Sequence, residues 1–277
     1  LPTFKLMTPL TVKEAVEMMH THPEAPIIAG GVYTIASMIE KKIRPHHLID
    51  ISKIRELKQL EIGPEIVRAG ALASHTALME TFAVSPAFSA FSQRYTSPSI
   101  ANIATVGGSM ALKSSTEDLI TILLVHDAFI RVRTTEGLSE LPLDQYLNMD
   151  IRHALVEEVR FLNPTTVSAM FEKIALGISY IPLISAAARL DRDGRGGWIC
   201  RIATSHQRGE IPGRIHEAET IIQQQGPGDE AINNAAKAVE STIDPVSDLM
   251  APSWYRKRVA AVLVKRLLLK LRDGEWP

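Results

Sequence analysis

Two pairs of adjacent glycines carry the clearest chemical signal in this chain: Ala29-Gly30-Gly31, and Thr105-Val106-Gly107-Gly108-Ser109. Each stands between apolar residues and a stretch that favours a helix. Glycine permits positive φ and close backbone approach, so consecutive amides can face a concavity, and a helix start adds free N–H groups of its own. A loop of this kind holds phosphate oxygens. Two of them can grip a pyrophosphate from both sides, whereas one pair alone reads as an ordinary turn. The chain has no G-x-G-x-x-G and no G-x-x-x-x-G-K-[ST], so neither a Rossmann site nor a P-loop is supported, and any dinucleotide must be held differently.

The elements that must position these loops alternate between short strands and helices. Thr11-Val12-Lys13-Glu14 has capping-box spacing and predicts a helix over 11–22. Ala25 to Ala29 reads as a buried strand entering the first glycine pair, with a helix near 34–42 leaving it. Strands follow at 48–51 and 66–70, and helices near 74–80 and 86–94. After Gly107-Gly108 the spacing of Leu119, Ile122, Leu123 and His126 predicts one long helix, followed by a strand from Phe129 to Arg133 that turns at Glu136-Gly137. Further on, Ile184–Leu190 and Trp198–Ala203 form a hairpin signal across Asp191 to Gly197, and helices are expected near 214–225, 229–242 and 253–272. The fold class is therefore α+β. It divides into a domain over 1–168, itself of two α+β subdomains split near residue 55–60, and a smaller domain over 169–277 of antiparallel strands and helices.

Composition bounds the function. In 277 residues, 30 basic side chains stand against 31 acidic ones, for a formal charge of -1, so no global field favours nucleic acid or an acidic membrane. No run is apolar or long enough for a transmembrane segment, and no secretory signal is visible, which makes the cytoplasm the expected compartment. Cys200 is the only cysteine, so this chain can supply neither an internal disulfide nor the four thiolates of an iron-sulfur cluster. It reads as a buried, inert thiol.

Ile28-Ala29-Gly30-Gly31, Leu48-Ile49-Asp50-Ile51, Gly70-Ala71 with Ser74-His75, and Ala104-Thr105-Val106-Gly107-Gly108 occur here in one order and spacing. With them the chain resembles, over essentially its whole length, the medium FAD-binding subunit of the molybdenum hydroxylases, of the carbon monoxide dehydrogenase and xanthine dehydrogenase type. The resemblance implies a p-cresol methylhydroxylase-type FAD-binding domain and a small C-terminal domain, with FAD between the two subdomains. It implies cofactor contacts at Ile27, Ile28, Ala29, Gly30, Gly31, Val32 and Tyr33 in the first loop and at Thr105, Gly107, Gly108 and Ser109 in the second. Asp118 falls where the family has an acidic residue near the adenosine half. Tyr95 matches a position packed near the flavin, Lys173 a lysine that contacts the cofactor, and Leu155 an apolar neighbour.

The resemblance further implies a large partner subunit holding the molybdenum cofactor and a small one holding two 2Fe-2S clusters. The flavin then relays electrons outward to an acceptor such as NAD, and this chain needs no catalytic acid, base or nucleophile of its own. Several positions depart from the family pattern. Val32-Tyr33 replaces Thr-Asp, Ser109 replaces Asn, Ala101 replaces an arginine, Ser115 a proline, and Leu176-Gly177 a basic pair. Backbone amides do not depend on those side chains, but tuning of a flavin does. Two other readings therefore stand beside the first: a scaffold subunit with a degenerate flavin site, and a stand-alone flavin oxidoreductase of the same fold.

The remaining features have plain explanations. His20-Thr21-His22 and His46-His47 lack carboxylate or cysteine partners at zinc-site spacing and read as surface histidines. His75 reads as part of a helix cap after Ser74. The basic residues of the last helix read as a solvated face that could meet an acidic partner, and Trp198, Trp254 and Trp276 as packing or interface residues.

Overall fold

The computed structural model describes residues 3–95, 97–150, 153–175 and 182–275; Trp276 and the departure at Leu176-Gly177 lie outside them. The chain opens with β1 (Lys5–Met7), α1 (Val12–Thr21), β2 (Ile27–Ile28), α2 (Val32–Ile39) and β3 (His47–Asp50). These strands form a parallel sheet in the order β1-β3-β2. Thr11 caps α1 by accepting from the Glu14 amide, and Glu14 returns a carboxylate to the Leu10 amide rather than to Thr11. Buried Val12, Ala15, Val16 and Met19 recur at helical spacing and seat α1 on the core. Strand β2 is shorter than the apolar run Ala25–Ala29 suggests, because the chain turns at Gly31, with φ +79°, directly into α2.

A single-turn helix (Arg55–Lys58) leads into β4 (Leu60–Ile62) and β5 (Ile66–Gly70). Then come α3 (His75–Thr81), α4 (Pro86–Gln93), α5 (Pro98–Ile103), α6 (Val106–Leu112), α7 (Asp118–Val125), β6 (Phe129–Thr134), β7 (Gly137–Pro142), α8 (Leu143–Leu147) and β8 (Leu155–Leu162). The sheet order is β4-β5-β8-β6-β7, with every neighbour antiparallel. The single long helix expected after Gly107-Gly108 is two helices. The break falls at Lys113, whose backbone is left-handed at φ +48° and whose ammonium is held by the carbonyls of Tyr146 and Met149. All of α7 is buried. It is apolar all round because it packs against α4 and α6 on one side and the third sheet on the other.

That third sheet comprises β9 (Ala169–Ala175), β10 (Pro182–Arg192), β11 (Trp198–Arg208) and β12 (Ile211–Arg214), antiparallel in the order β12-β11-β10-β9. It is followed by α9 (His216–Gln225), α10 (Asp229–Thr242) and α11 (Ser253–Asp273). Helices α9 and α11 cover one face, while α4 and α7 cover the other. Burial on both faces explains why the strand expected at Ile184–Leu190 carries the small residues Ser185-Ala186-Ala187-Ala188 in place of polar alternation. Cys200 is fully buried in this second core, and its surroundings push the thiol's pKa up.

The basic residues of α11 divide: Arg258, Lys265 and Arg266 are exposed, and several of the set are also engaged by the protein. Arg256 is buried on the carbonyls of Leu183 and Ala251 and the Asp248 carboxylate, Arg266 and Lys270 share Glu172, and Arg272 bonds Asp229. At the junction of the second and third sheets, Asp127 receives Arg189 at 2.8 Å and Arg201 at 2.5 Å, with Arg214 at 3.6 Å. Among the described residues no helix is long and apolar enough to cross a membrane.

Candidate functional site: a cleft between the three sheets

The parallel sheet, the α5–α7 segment and β8–β9 enclose a cleft with a cavity volume of 510 Å³, within the range of small-molecule sites. Ile27, Ala29, Gly30, Gly31, Val32, Tyr33, Tyr95, Thr105, Gly107, Gly108, Ser109, Asp118, Leu155 and Lys173 all line it. The structure thus gathers on one cavity every position singled out in the sequence except Ile28, which is paired in β2 with Asp50. His75, Phe91 and Glu117 line it too, and none was expected as a site residue.

The first glycine loop is open to the cleft. Among the described residues, the amides of Gly30, Gly31, Val32 and Tyr33 donate to no protein acceptor, while the Gly31 carbonyl already accepts from Ile35 at the start of α2. Four free donors thus gather where the helix dipole is positive. Val32 and Tyr33 are exposed and line the cleft beside these amides. Gly30 has a second reason to lack a side chain: a Cβ would lie 1.5 Å from the Ile103 carbonyl oxygen.

The second loop is closed. Val106 donates to Ala73, Gly107 to Ala71, Gly108 to the Thr105 hydroxyl and Ser109 to the Thr105 carbonyl, so its amides are occupied within the protein. Gly107 is there for packing, since a Cβ would lie 2.5 Å from that of Ala71. Two-sided phosphate gripping by amides, expected from the pair of motifs, is therefore one-sided in the structure.

The second loop presents a side-chain network. The Ser109 hydroxyl donates to Glu117 Oε2 at 2.5 Å and lies 2.9 Å from His75 Nε2; His75 Nδ1 lies 2.7 Å from the Tyr95 hydroxyl. A hydroxyl has one proton, so Ser109 must accept from His75. The imidazole is then protonated at Nε2 and accepts from Tyr95 at Nδ1. Burial lowers the His75 pKa to about 4, which keeps the ring neutral at pH 7 and consistent with that single direction. Burial raises Glu117, with the Ser109 hydrogen bond opposing it, and burial likewise raises Tyr95. The Ser74-His75 pair was readable as a cap, and Ser74 does accept from the Ala77 amide; what the sequence could not show is that the ring turns inward.

Next to this network, Lys173 Nζ lies 2.5 Å from Asp118 Oδ2, with both side chains buried. Burial raises the Asp118 pKa, and the Lys173 ammonium opposes the rise. The second oxygen, Oδ1, is buried, with the Ser185 hydroxyl as the protein donor beside the carboxylate. Arg94 donates to the Lys173 carbonyl at 3.0 Å and ties the Tyr95 segment to β9. Free amides for phosphate, the buried Lys173–Asp118 pair and apolar walls from Phe91, Ala104 and Leu155 together fit a flavin dinucleotide.

Comparison with known proteins gives the same reading. Residues 2–162 match the family described as the FAD binding domain in molybdopterin dehydrogenase, and residues 169–271 match the CO dehydrogenase flavoprotein C-terminal domain. The 6-hydroxypseudooxynicotine dehydrogenase complex subunit alpha of Paenarthrobacter nicotinovorans is 25% identical, over 97% of this chain and 94% of its own. The xanthine dehydrogenase FAD-binding subunit of Escherichia coli O157:H7 is also 25% identical, over 93% and 92%. A chain in the structure of carbon monoxide dehydrogenase from Hydrogenophaga pseudoflava, in a form lacking the Mo-pyranopterin moiety, superposes with a TM-score of 0.89 at 23% identity, over 98% of each chain. The chain belongs to the family of FAD-binding flavoprotein subunits of molybdopterin dehydrogenases, and it is an oxidoreductase subunit of the molybdenum hydroxylase type.

Proposed function

We propose that this subunit takes electrons from 2Fe-2S clusters in a small partner and delivers them to an external acceptor such as NAD, with the molybdenum cofactor in a large partner and the complex in the cytoplasm. FAD, when bound, supplies redox chemistry in single electrons or pairs. The chain's own residues bind and orient it. The amides of Gly30 to Tyr33 hold the pyrophosphate. Asp118 keeps the Lys173 ammonium in place on the same wall, so the two serve one stretch of cofactor rather than opposite halves. Phe91, Tyr95 and Leu155 exclude water, and the His75–Ser109–Glu117 network holds the second loop.

The observation that carries this assignment is the set of four free amides at the start of α2, on a loop that lines the cleft. The partner roles draw support from the names of the relatives, among them a complex subunit alpha and a nicotine 6-hydroxylase medium subunit. The test is to add FAD to the purified chain, remove the excess, denature and count released flavin by its visible spectrum. One flavin per chain is expected. None, in a sample shown by circular dichroism to be folded, would sink the cofactor assignment in favour of a scaffold. Assay of the assembled complex with NAD against oxygen then decides the acceptor.

A further inference from the structure

Two of the histidine motifs that the flavin site leaves unused meet in space. His22 ends α1 as its C-cap, its amide bonded to the Met18 carbonyl, and the next turn, closed by Ala25 N–H to the His22 carbonyl at 3.0 Å, brings Glu24 around. His47 opens β3, paired in register with Lys5. Glu24 Oε1 lies 3.2 Å from His47 Nδ1 and 3.7 Å from His22 Nδ1, and the two rings are 4.3 Å apart between centroids. One ligand atom from each of the three residues fits within 4.8 Å of the others. The carboxylate that seemed absent from the sequence is two residues from His22, and it is the fold that adds His47.

We propose that His22, Glu24 and His47 form a binding site for a transition-metal ion of the Zn²⁺ class. Tetrahedral Zn²⁺ with bonds of about 2.0–2.1 Å places its ligand atoms about 3.3 Å apart, close to both separations from Glu24 Oε1. Two imidazole nitrogens and one carboxylate oxygen suit Zn²⁺, Co²⁺, Ni²⁺ or Cu²⁺ and disfavour Ca²⁺ and Mg²⁺, which prefer oxygen ligands. Glu24 is exposed and both histidines are half-buried, so three corners come from the protein and the fourth faces solvent, open to water or a partner's side chain. His47 stands at the N-terminal end of β3, and the flavin cleft lies beyond its C-terminal end at Ile51, about 13 Å away along a strand. The two sites are therefore separate, and this one does not depend on the flavin assignment.

The test uses the full chain without a histidine tag, titrated with Co²⁺ in place of Zn²⁺. One Co²⁺ per chain, showing the intense visible absorption of tetrahedral coordination and displaced by Zn²⁺ but not by Mg²⁺, is the expected result. His22→Ala, His47→Ala and Glu24→Gln should each weaken binding about tenfold or more, while His46→Ala leaves it unchanged. These positions are at least partly exposed, and unchanged thermal melts of the apoprotein variants will show that they fold. Absence of saturable Co²⁺ binding overturns the site and leaves an imidazole–carboxylate ion pair in its place. Binding that survives His22→Ala and His47→Ala overturns it equally, by placing the ion elsewhere.

Discussion

The two glycine loops share a motif and differ in almost everything else. In the first, four amides are free and the side chains of Val32 and Tyr33 are exposed. In the second, the amides are bonded to Ala71, Ala73 and Thr105, and what faces the cleft is a hydroxyl already shared by His75 and Glu117. Glycine does two jobs here. At Gly31 it adopts φ +79° so that a helix can start at once; at Gly30 and Gly107 it lets two backbones or a backbone and Ala71 come together. The ligand-facing loop and the packing loop press on each other, since Gly30 meets the carbonyl of Ile103 just ahead of Thr105.

The largest effect should come from Gly30→Ala, where a methyl would overlap a backbone carbonyl that cannot rotate away. Overpacking of this kind costs about 3 kcal/mol or more, and thermal melts of the apoprotein should show it; Gly108→Ala, which meets only the Thr105 hydroxyl at 2.9 Å, should cost less. Equal melts for the two would break the distinction between packing and permissive glycines.

Acid should act on the second loop. The native state holds His75 neutral down to about pH 4, whereas the unfolded chain takes up its proton near 6.5, so the unfolded state binds more protons between those values. Stability is therefore lost as pH falls from 6.5 to 4, by about 3 kcal/mol for this group, and levels off below. Denaturant midpoints measured across that window should show His75→Gln to be flatter than the parent by that amount. A parallel dependence in both proteins would remove His75 as the cause.

Ser109→Ala leaves a buried carboxylate and an imidazole N–H without their shared partner, for an expected loss of about 2 kcal/mol in urea unfolding. Ser109→Thr, which keeps the hydroxyl, should recover part of it. The smallest effect should be Tyr33→Glu. A carboxylate in the first turn of α2 suits the helix dipole and leaves the apoprotein melt unchanged, yet it sets a negative charge beside the free amides. FAD affinity by fluorescence titration should fall about tenfold, and retained affinity would argue that the pyrophosphate lies elsewhere in the cleft.

Much of this architecture was legible because it rests on local rules. The Thr11 cap, the hairpin at Asp193–Gly197 and the helices α9 to α11 follow from capping, turn and periodicity signals, and both glycine pairs line one cleft. The failures have a common cause in long-range packing. The break at Lys113 depends on carbonyls of Tyr146 and Met149, more than thirty residues away. Glu117 was passed over for its neighbour Asp118, yet both reach the cleft, one toward Ser109 and the other toward Lys173. Whether an amide is free or occupied cannot be read from a Gly-Gly pair at all, since the acceptors at Ala71 and Ala73 belong to another segment.

Asp127 helps to hold one wall of the cleft in place. Its backbone is left-handed, at φ +48°, in the turn between α7 and β6, and its carboxylate gathers arginines from β10, β11 and β12. Lys173, on the neighbouring β9, forms one wall of the cleft. These ion pairs tie the turn after α7 to three strands of the third sheet, so the packing that sets the Lys173 wall against the rest of the cleft rests in part on one carboxylate. A cofactor bound there would have a residence time set by this clamp as well as by the groups that touch it.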